Sequence, residues 1–235
     1  LSQGNFYYSQ SDCELPNNQL EFALNRSYNS QSSAKTSFGT GWDHNYNLEL
    51  LSLRNGNTEK EQQLVYKDGT GTIYRFVPQE GEAGTYYSQK DKFVILKKEE
   101  KITHAIVAEG KNGEQTYDLQ SSYTMTTKDH ITYLFDAMGK ILYQTEPNGT
   151  FLIFRYDDQK GFLSEVVTEK GQKLSFQYQK EMDGDCALVK EIALPDGTKL
   201  SYQYTCEENE EHKRNYRLAS MTHVSKDGKD KTTYQ

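Results

Sequence analysis

Hydrophobic and polar residues alternate with a period of two along most of this chain. Leu174-Ser175-Phe176-Gln177-Tyr178 puts aliphatic and aromatic groups on one side and Ser and Gln on the other. The phrase returns as Leu200-Ser201-Tyr202-Gln203-Tyr204, and an earlier, more apolar version is Phe151-Leu152-Ile153-Phe154-Arg155-Tyr156. Such alternation predicts half-buried strands. Each copy follows a turn signal, Asn148-Gly149, Lys170-Gly171 or Asp196-Gly197, where Gly accepts the positive φ of tight hairpin turns. The opposing arms are Gly139–Leu142, Gly161–Val166, Leu188–Ile192 and Tyr216–Met221, and a fourth right arm begins near Thr232. Gly139 to Gly161 spans 22 residues, as does Gly149 to Gly171; later spacings grow only in the loops at 180–185 and 207–213. A fixed period with length variation confined to loops marks a repeat architecture. One hairpin cannot bury its apolar face alone, so the units are expected to lie side by side from about Ile131 onward.

The front of the chain is less regular. Residues 1–19 read as a polar, irregular segment in which Phe6-Tyr7-Tyr8 is at most an edge strand. Leu20–Tyr28 alternates as a strand, and Asn29–Ser33 is a loop of turn formers. In Phe38–Leu50 two glycines, Gly39 and Gly41, lead up to the only Trp, and the segment leads into a further strand. A hairpin follows, Gln63–Tyr66 with Thr72–Val77 around Lys67-Asp68-Gly69-Thr70-Gly71, and then a strand at Phe93–Leu96. Ile102–Ala108 and Glu114–Leu119 flank Lys111-Asn112-Gly113, a type I′ candidate, and Tyr123–Thr127 and Ile131–Phe135 flank Lys128-Asp129. No segment longer than two turns has helical spacing. The expected organisation is an irregular segment (1–19), an antiparallel front domain (20–125) and a hairpin array (126–235), all-β throughout.

Composition narrows the function classes. The 235 residues include 18 Tyr and only four Pro, with no Gly/Ser linker, which excludes a disordered chain. A net charge of −7 excludes a general nucleic-acid binder, because phosphate contacts need clustered Lys and Arg. No apolar run approaches the roughly 18 residues of a membrane span. The chain begins at Leu1 without a signal peptide and ends at Gln235 inside a strand pattern, so it reads as a piece of a longer protein. Of the three cysteines, Cys186 falls nearly opposite Cys206 across a two-residue Asp196-Gly197 turn, which allows a disulfide; two unpaired thiols are the alternative. An odd total without a CxxC pair argues against zinc.

The repeat resembles the Rhs/YD-repeat family. Phe135-Asp136 through Gly139, and Tyr156-Asp157 through Gly161-Phe162-Leu163, follow that family's Tyr-Asp unit. Glu146-Pro147-Asn148-Gly149-Thr150 and Leu194-Pro195-Asp196-Gly197-Thr198 follow its turn. Tyr204-Thr205 lacks the Asp, and Phe162 stands where Arg is common. Arg26-Ser27-Tyr28-Asn29-Ser30, then Phe38-Gly39-Thr40-Gly41-Trp42-Asp43-His44-Asn45-Tyr46, resembles the domain that precedes the repeats in bacterial Rhs and wall-associated proteins. The resemblance covers about residues 20–235. It implies hairpins spiralling into a curved sheet, a fragment of a hollow β-cocoon that encloses a C-terminal toxin or other cargo. It also implies a secreted or cell-surface location and, as partners, the remainder of the same polypeptide. The family's self-cleaving motif contains Asp-Pro, a pair this sequence lacks. Neither a toxin domain nor a plug is read in it.

No residue set is assigned to catalysis, a cofactor or a metal, and the chain is expected not to be an enzyme. Asp43, His44 and Ser30 or Ser37 are the nearest approach to a nucleophile system. Neighbours on a strand point to opposite faces, so Asp43 is badly placed to orient His44; Trp42 and Tyr46 are expected to be core anchors. His104, His130, His212 and His223 share no ligand spacing. Glu207-Glu208-Asn209-Glu210-Glu211 is a Ca²⁺ candidate that reads as a solvated loop. Gly39-Thr40-Gly41 lacks the helix and Lys of a phosphate loop. The aromatic faces carry the second functional reading, a surface adhesion module for glycan or a protein partner. The bland reading is the packed side of a sheet.

Overall fold

The alternating segments become strands of two antiparallel sheets. The computed structural model describes residues 4–15, 22–54, 62–183, 186–208, 214–228 and 231–234. A three-stranded sheet contains β1 (Tyr7–Leu15), β2 (Phe22–Asn29) and β3 (Trp42–His44) in that order. All other strands form one 15-stranded sheet. These are β4 (Glu49–Arg54), β5 (Gln62–Lys67), β6 (Ile73–Pro78), β7 (Thr85–Ser88), β8 (Ile95–Gly110), β9 (Gly113–Thr126), β10 (Thr132–Phe135), β11 (Ile141–Thr145) and β12 (Phe151–Tyr156). They continue with β13 (Leu163–Thr168), β14 (Lys173–Asp183), β15 (Cys186–Ala193), β16 (Lys199–Glu208), β17 (Arg214–Val224) and β18 (Lys231–Tyr234). Every strand of this sheet is hydrogen-bonded to its neighbour in sequence.

Local chemistry explains the hairpins. Asp136 holds the N–H groups of Met138 and Lys140 on one carboxylate oxygen, at 2.9 and 2.8 Å. Asp157 does the same for Gln159 and Lys160. At the opposite ends, Asn148 and Asp196 accept from the N–H of Thr150 and Thr198. An Asp or Asn that bonds the backbone two residues on pre-forms the turn. The expected two-residue turn at Asp196-Gly197 is instead the three-residue loop Pro195–Gly197. The Leu194 N–H reaches Thr198 O and the Gly197 N–H reaches Leu194 O. Lys111-Asn112 is a two-residue loop, but neither residue takes the positive φ of a type I′ turn; Gly113 takes it, at 104°.

The sheet curls until its first strand meets its middle. Leu50 on β4 donates its N–H to Gly139 O at 2.8 Å, and Glu49 bridges to Lys140. Gly139 has φ +87°, and a Cβ there would lie 1.7 Å from Leu50 O. Only glycine permits this approach.

Three expectations need correction. Residues 1–19 are not irregular throughout, since β1 pairs with β2 from Tyr7↔Asn29 to Leu15↔Phe22. The boundary at 125/126 falls inside β9, and the sheet crosses it without a break. The interior is not empty: Phe22, Leu24, Phe38 and Tyr46 share one buried cluster with Leu152, Phe154, Phe176, Leu200 and Tyr202. The chain's own front segment therefore packs against the inside of the curl. Of the two readings left open for Cys206, the structure gives the unpaired one, an exposed free thiol. The β15–β16 ladder spans only Glu191↔Ser201 to Ala193↔Lys199 and ends short of Cys206, whose partner on the other side of β16 is Tyr216 of β17.

Strands β8 and β9, of 16 and 14 residues, outgrow the short hairpin expected there. Their ladder shifts register between Lys98 and Ile102. Beyond that point the arm folds over the outer face of β11–β13. Ala108, Tyr117 and Leu119 bury Ile153 and Val167, and the Glu109 N–H bonds Glu169 O at 2.8 Å.

Candidate functional site

The interior of the curled sheet is where the front segment and the repeats meet. Arg26 on β2 makes a two-pronged ion pair with Asp12 on β1, and both residues are buried. The Arg26 guanidinium lies 4.7 Å from the Trp42 ring centre and 5.5 Å from that of Tyr202 on β16. The Tyr202 hydroxyl donates to Asp12 at 2.8 Å, joining residues 190 positions apart. Burial, then the Asp12 charge, holds this phenol protonated. The loop before β3 is tied down by backbone bonds: Val189 N–H to Ser37 O at 2.8 Å and Thr40 N–H to Tyr216 O at 2.9 Å. Thr40 also bonds the side chain of Asn215.

The repeat tyrosines brace neighbouring strands. The Tyr178 hydroxyl donates to Leu163 O at 2.7 Å and that of Tyr204 to Val189 O at 2.8 Å, each 15 residues back. Burial raises both phenol pKa values, so both remain donors.

Two cavities flank the turn at Tyr46–Leu48, and Tyr46 and Leu48 line both. The larger, about 510 Å³, opens where the β5–β6, β7–β8, β9–β10 and β11–β12 turns gather. Tyr66, Tyr74 and Tyr133 form its aromatic wall, with ring centres 5.8 Å (Tyr66–Tyr74) and 6.1 Å (Tyr66–Tyr133) apart. Asp68, Asp91, Asp129 and Glu146 add carboxylates against one Lys128. Burial, then Tyr74 and Asp68, pushes the Tyr133 phenol up to about 12. The smaller cavity, about 320 Å³, carries Lys35, Lys67 and Lys140 against Glu49. Its Lys67 is paired with Asp43 at 2.7 Å, and its Lys140 donates to Gly161 O at 2.6 Å.

This fold has solved counterparts. A crystal structure of TcdB2-TccC3-Cdc42 contains a chain that this one matches over 97% of its own length, with TM-score 0.55 and 12% identity. The chain spans only 15% of that counterpart. The N-terminal domain of effector protein SpvB from Salmonella typhimurium strain LT2 matches over 96% of this chain and 100% of its own, with TM-score 0.52 and 11% identity. At such identities the likeness is one of fold. The family described as a domain of unknown function, DUF6531, matches residues 1–76. No curated protein matches significantly. The family match covers the front third of the chain, and the solved counterparts share its all-β fold.

The residues weighed for chemistry do not converge. Ser37 Oγ is 3.4 Å from His44 Nε2, yet Asp43 does not reach the imidazole. Its Oδ1 accepts the His44 backbone N–H and the Asn47 side chain. His44 is fully enclosed, and burial lowers its pKa to about 4. Ser30 is engaged with Phe6 and Asn5 at the sheet edge. Tyr46 is a buried core residue, whereas Trp42 is half-buried at the rim of the core. His104 bonds Ser121, and His130 sits on an exposed turn; His212 lies outside the described residues. Glu207 and Glu208 face Arg217 and Arg214, and the rest of that acidic run also lies outside them. Among the described residues no three His, Cys, Asp or Glu gather as a metal set, and no helix is long and apolar enough to cross a membrane. Sequence reading missed Asp12, Tyr202 and the tyrosine cavity. Only the aromatic alternation hinted at the last of these.

Proposed function

We propose that this chain is a structural shell segment of a large secreted or surface Rhs/YD-repeat protein. It encapsulates or presents a C-terminal toxin or effector, and does no catalysis itself. The observation that carries the reading is the single 15-stranded ladder, curled so that β4 touches the β10–β11 turn, with the front strands packed against its inner face. Such a wall isolates what lies behind it because every interior strand spends its backbone groups on its neighbours. The front segment then closes one end of the compartment. The partners are further hairpins and the cargo of the same polypeptide.

Electron microscopy and limited proteolysis of the protein as its host makes it test the reading. The expected result is a continuation of the sheet beyond β18 around a protease-protected segment. Continuation as a separate domain beside β18, with nothing enclosed, rejects it.

A further inference from the structure

We propose that the cavity walled by Tyr66, Tyr74 and Tyr133 is a carbohydrate site for a neutral or amino-bearing oligosaccharide. The inference is independent of the shell reading.

Three observations combine. The first is an unspent donor. Tyr66 is only 6% exposed and lines the cavity, yet its hydroxyl has no protein partner among the described residues, nor have those of Tyr74 and Tyr133. A buried phenol is normally hydrogen-bonded, so the open Tyr66 hydroxyl, beside the half-buried Tyr74 and Tyr133, points to a guest that completes it. The repeat tyrosines Tyr178 and Tyr204, in the same sheet, are satisfied by strand carbonyls.

The second is the shape of the wall. The Tyr66 ring centre is about 6 Å from those of Tyr74 and Tyr133, with the planes tilted by 35° and 48°, and Lys90 Nζ lies 5.2 Å from the centre of the Tyr74 ring. The three rings offer a platform. The C–H face of a pyranose suits the electron-rich face of such a ring.

The third is the charge around the platform. Asp68 uses one oxygen to accept from Thr70 and Thr72, and Asp91 uses one for Phe93. Glu146 uses one for Asn148. Each keeps a second oxygen, and Asp129 stands at the rim. Carboxylates accept and never donate when ionised. They therefore call for a guest rich in O–H or N–H donors, and four carboxylates against Lys128 and the Lys90 ammonium over Tyr74 leave a negative balance that disfavours phosphates and uronates. The volume, about 510 Å³, lies within the roughly 300–1,000 Å³ of small-molecule sites. The smaller cavity lacks this character, since its Lys67 and Lys140 are already paired.

Titration calorimetry with cellotriose, a glucosamine trimer and trigalacturonate, and with trilysine as the peptide alternative, tests the assignment. The expected result is saturable binding of cellotriose or the glucosamine trimer, with trigalacturonate about tenfold weaker or worse. Tyr133→Phe and Asp91→Asn should each weaken binding about tenfold, the size expected for one buried hydrogen bond to a polar guest. Asp91 is at the rim, so its variant keeps the wild-type melting temperature and the test stands even where Tyr66→Phe unfolds the chain. Absence of saccharide binding at about 10 mM, below any useful affinity, would overturn the proposal. So would equal affinity in the variants, or binding of trilysine alone.

Discussion

The three-stranded front sheet and the hairpin array of β10–β18 are both antiparallel, and they are held together in opposite ways. The array is assembled from near neighbours. Each strand pairs with the next, the turns at Asp136, Asn148, Asp157 and Asp196 are capped by those residues, and Tyr178 and Tyr204 each bond a strand carbonyl 15 residues back. The front sheet is short, β3 having three residues, and it is fixed by contacts across the whole chain. Arg26, Asp12 and Tyr202 form one buried network spanning 190 positions. The array is thus cooperative along its length, whereas the front sheet depends on a few long-range polar bonds. Buried charge is stable only while paired, which makes that dependence steep.

The sharpest way to break the symmetry between them is Asp12→Ala. It strands the Arg26 charge inside the core and should destabilise the fold by about 3–5 kcal/mol, read by urea unfolding. Tryptophan fluorescence should report early loss of the front sheet, since Trp42 lies under Arg26. Gly139→Ala attacks the closure of the array. Positive φ and the collision with Leu50 O should remove about 3 kcal/mol; an unchanged Tm would show that the curl does not need this contact.

Acid should separate the two regions as well. His44 is held neutral in the fold, with its pKa lowered by burial to about 4. The unfolded chain takes up the proton near 6.5, so stability rises with pH between about 4 and 6.5 and is lost on acidification. The group accounts for about 3 kcal/mol between neutral pH and pH 4. His44→Phe should flatten that slope, measured as urea midpoints at pH 7 and pH 4.5. A smaller effect is expected within the array: Tyr178→Phe leaves Leu163 O without its donor and should lower stability by about 1 kcal/mol. The smallest has the opposite sign. His130 is the one non-glycine with positive φ among the described residues, at 60°, in a turn whose equivalents use Gly139 and Gly149. His130→Gly should raise the melting temperature slightly, by about 1 kcal/mol of stability or less.

Copy-to-copy differences show how far the repeat can be read. Leu152, Leu174 and Leu200 occupy one inner position, and Phe154, Phe176 and Tyr202 another; all six are buried in the same cluster. At the outer position between them, Ser175 and Ser201 correspond to Ile153. The extra apolar residue is visible in the sequence as the more hydrophobic copy. Its cause is visible only in space: the β8–β9 arm lands there and leaves Ile153 fully buried.

Alternation, turn chemistry and spacing by themselves determined that residues 131–235 form consecutive hairpins, because those signals act within about ten residues and each hairpin's register follows from its own turn. Burial on one face was legible too, but not what covers it. Tertiary structure alone decided that the first strands fill the interior, that the long arm folds back over β12, that Cys206 faces Tyr216, and that three tyrosines from β5, β6 and β10 share one cavity. Those outcomes depend on which distant surfaces meet when the sheet curls, and a period of two says which way a side chain points without saying what it will find there.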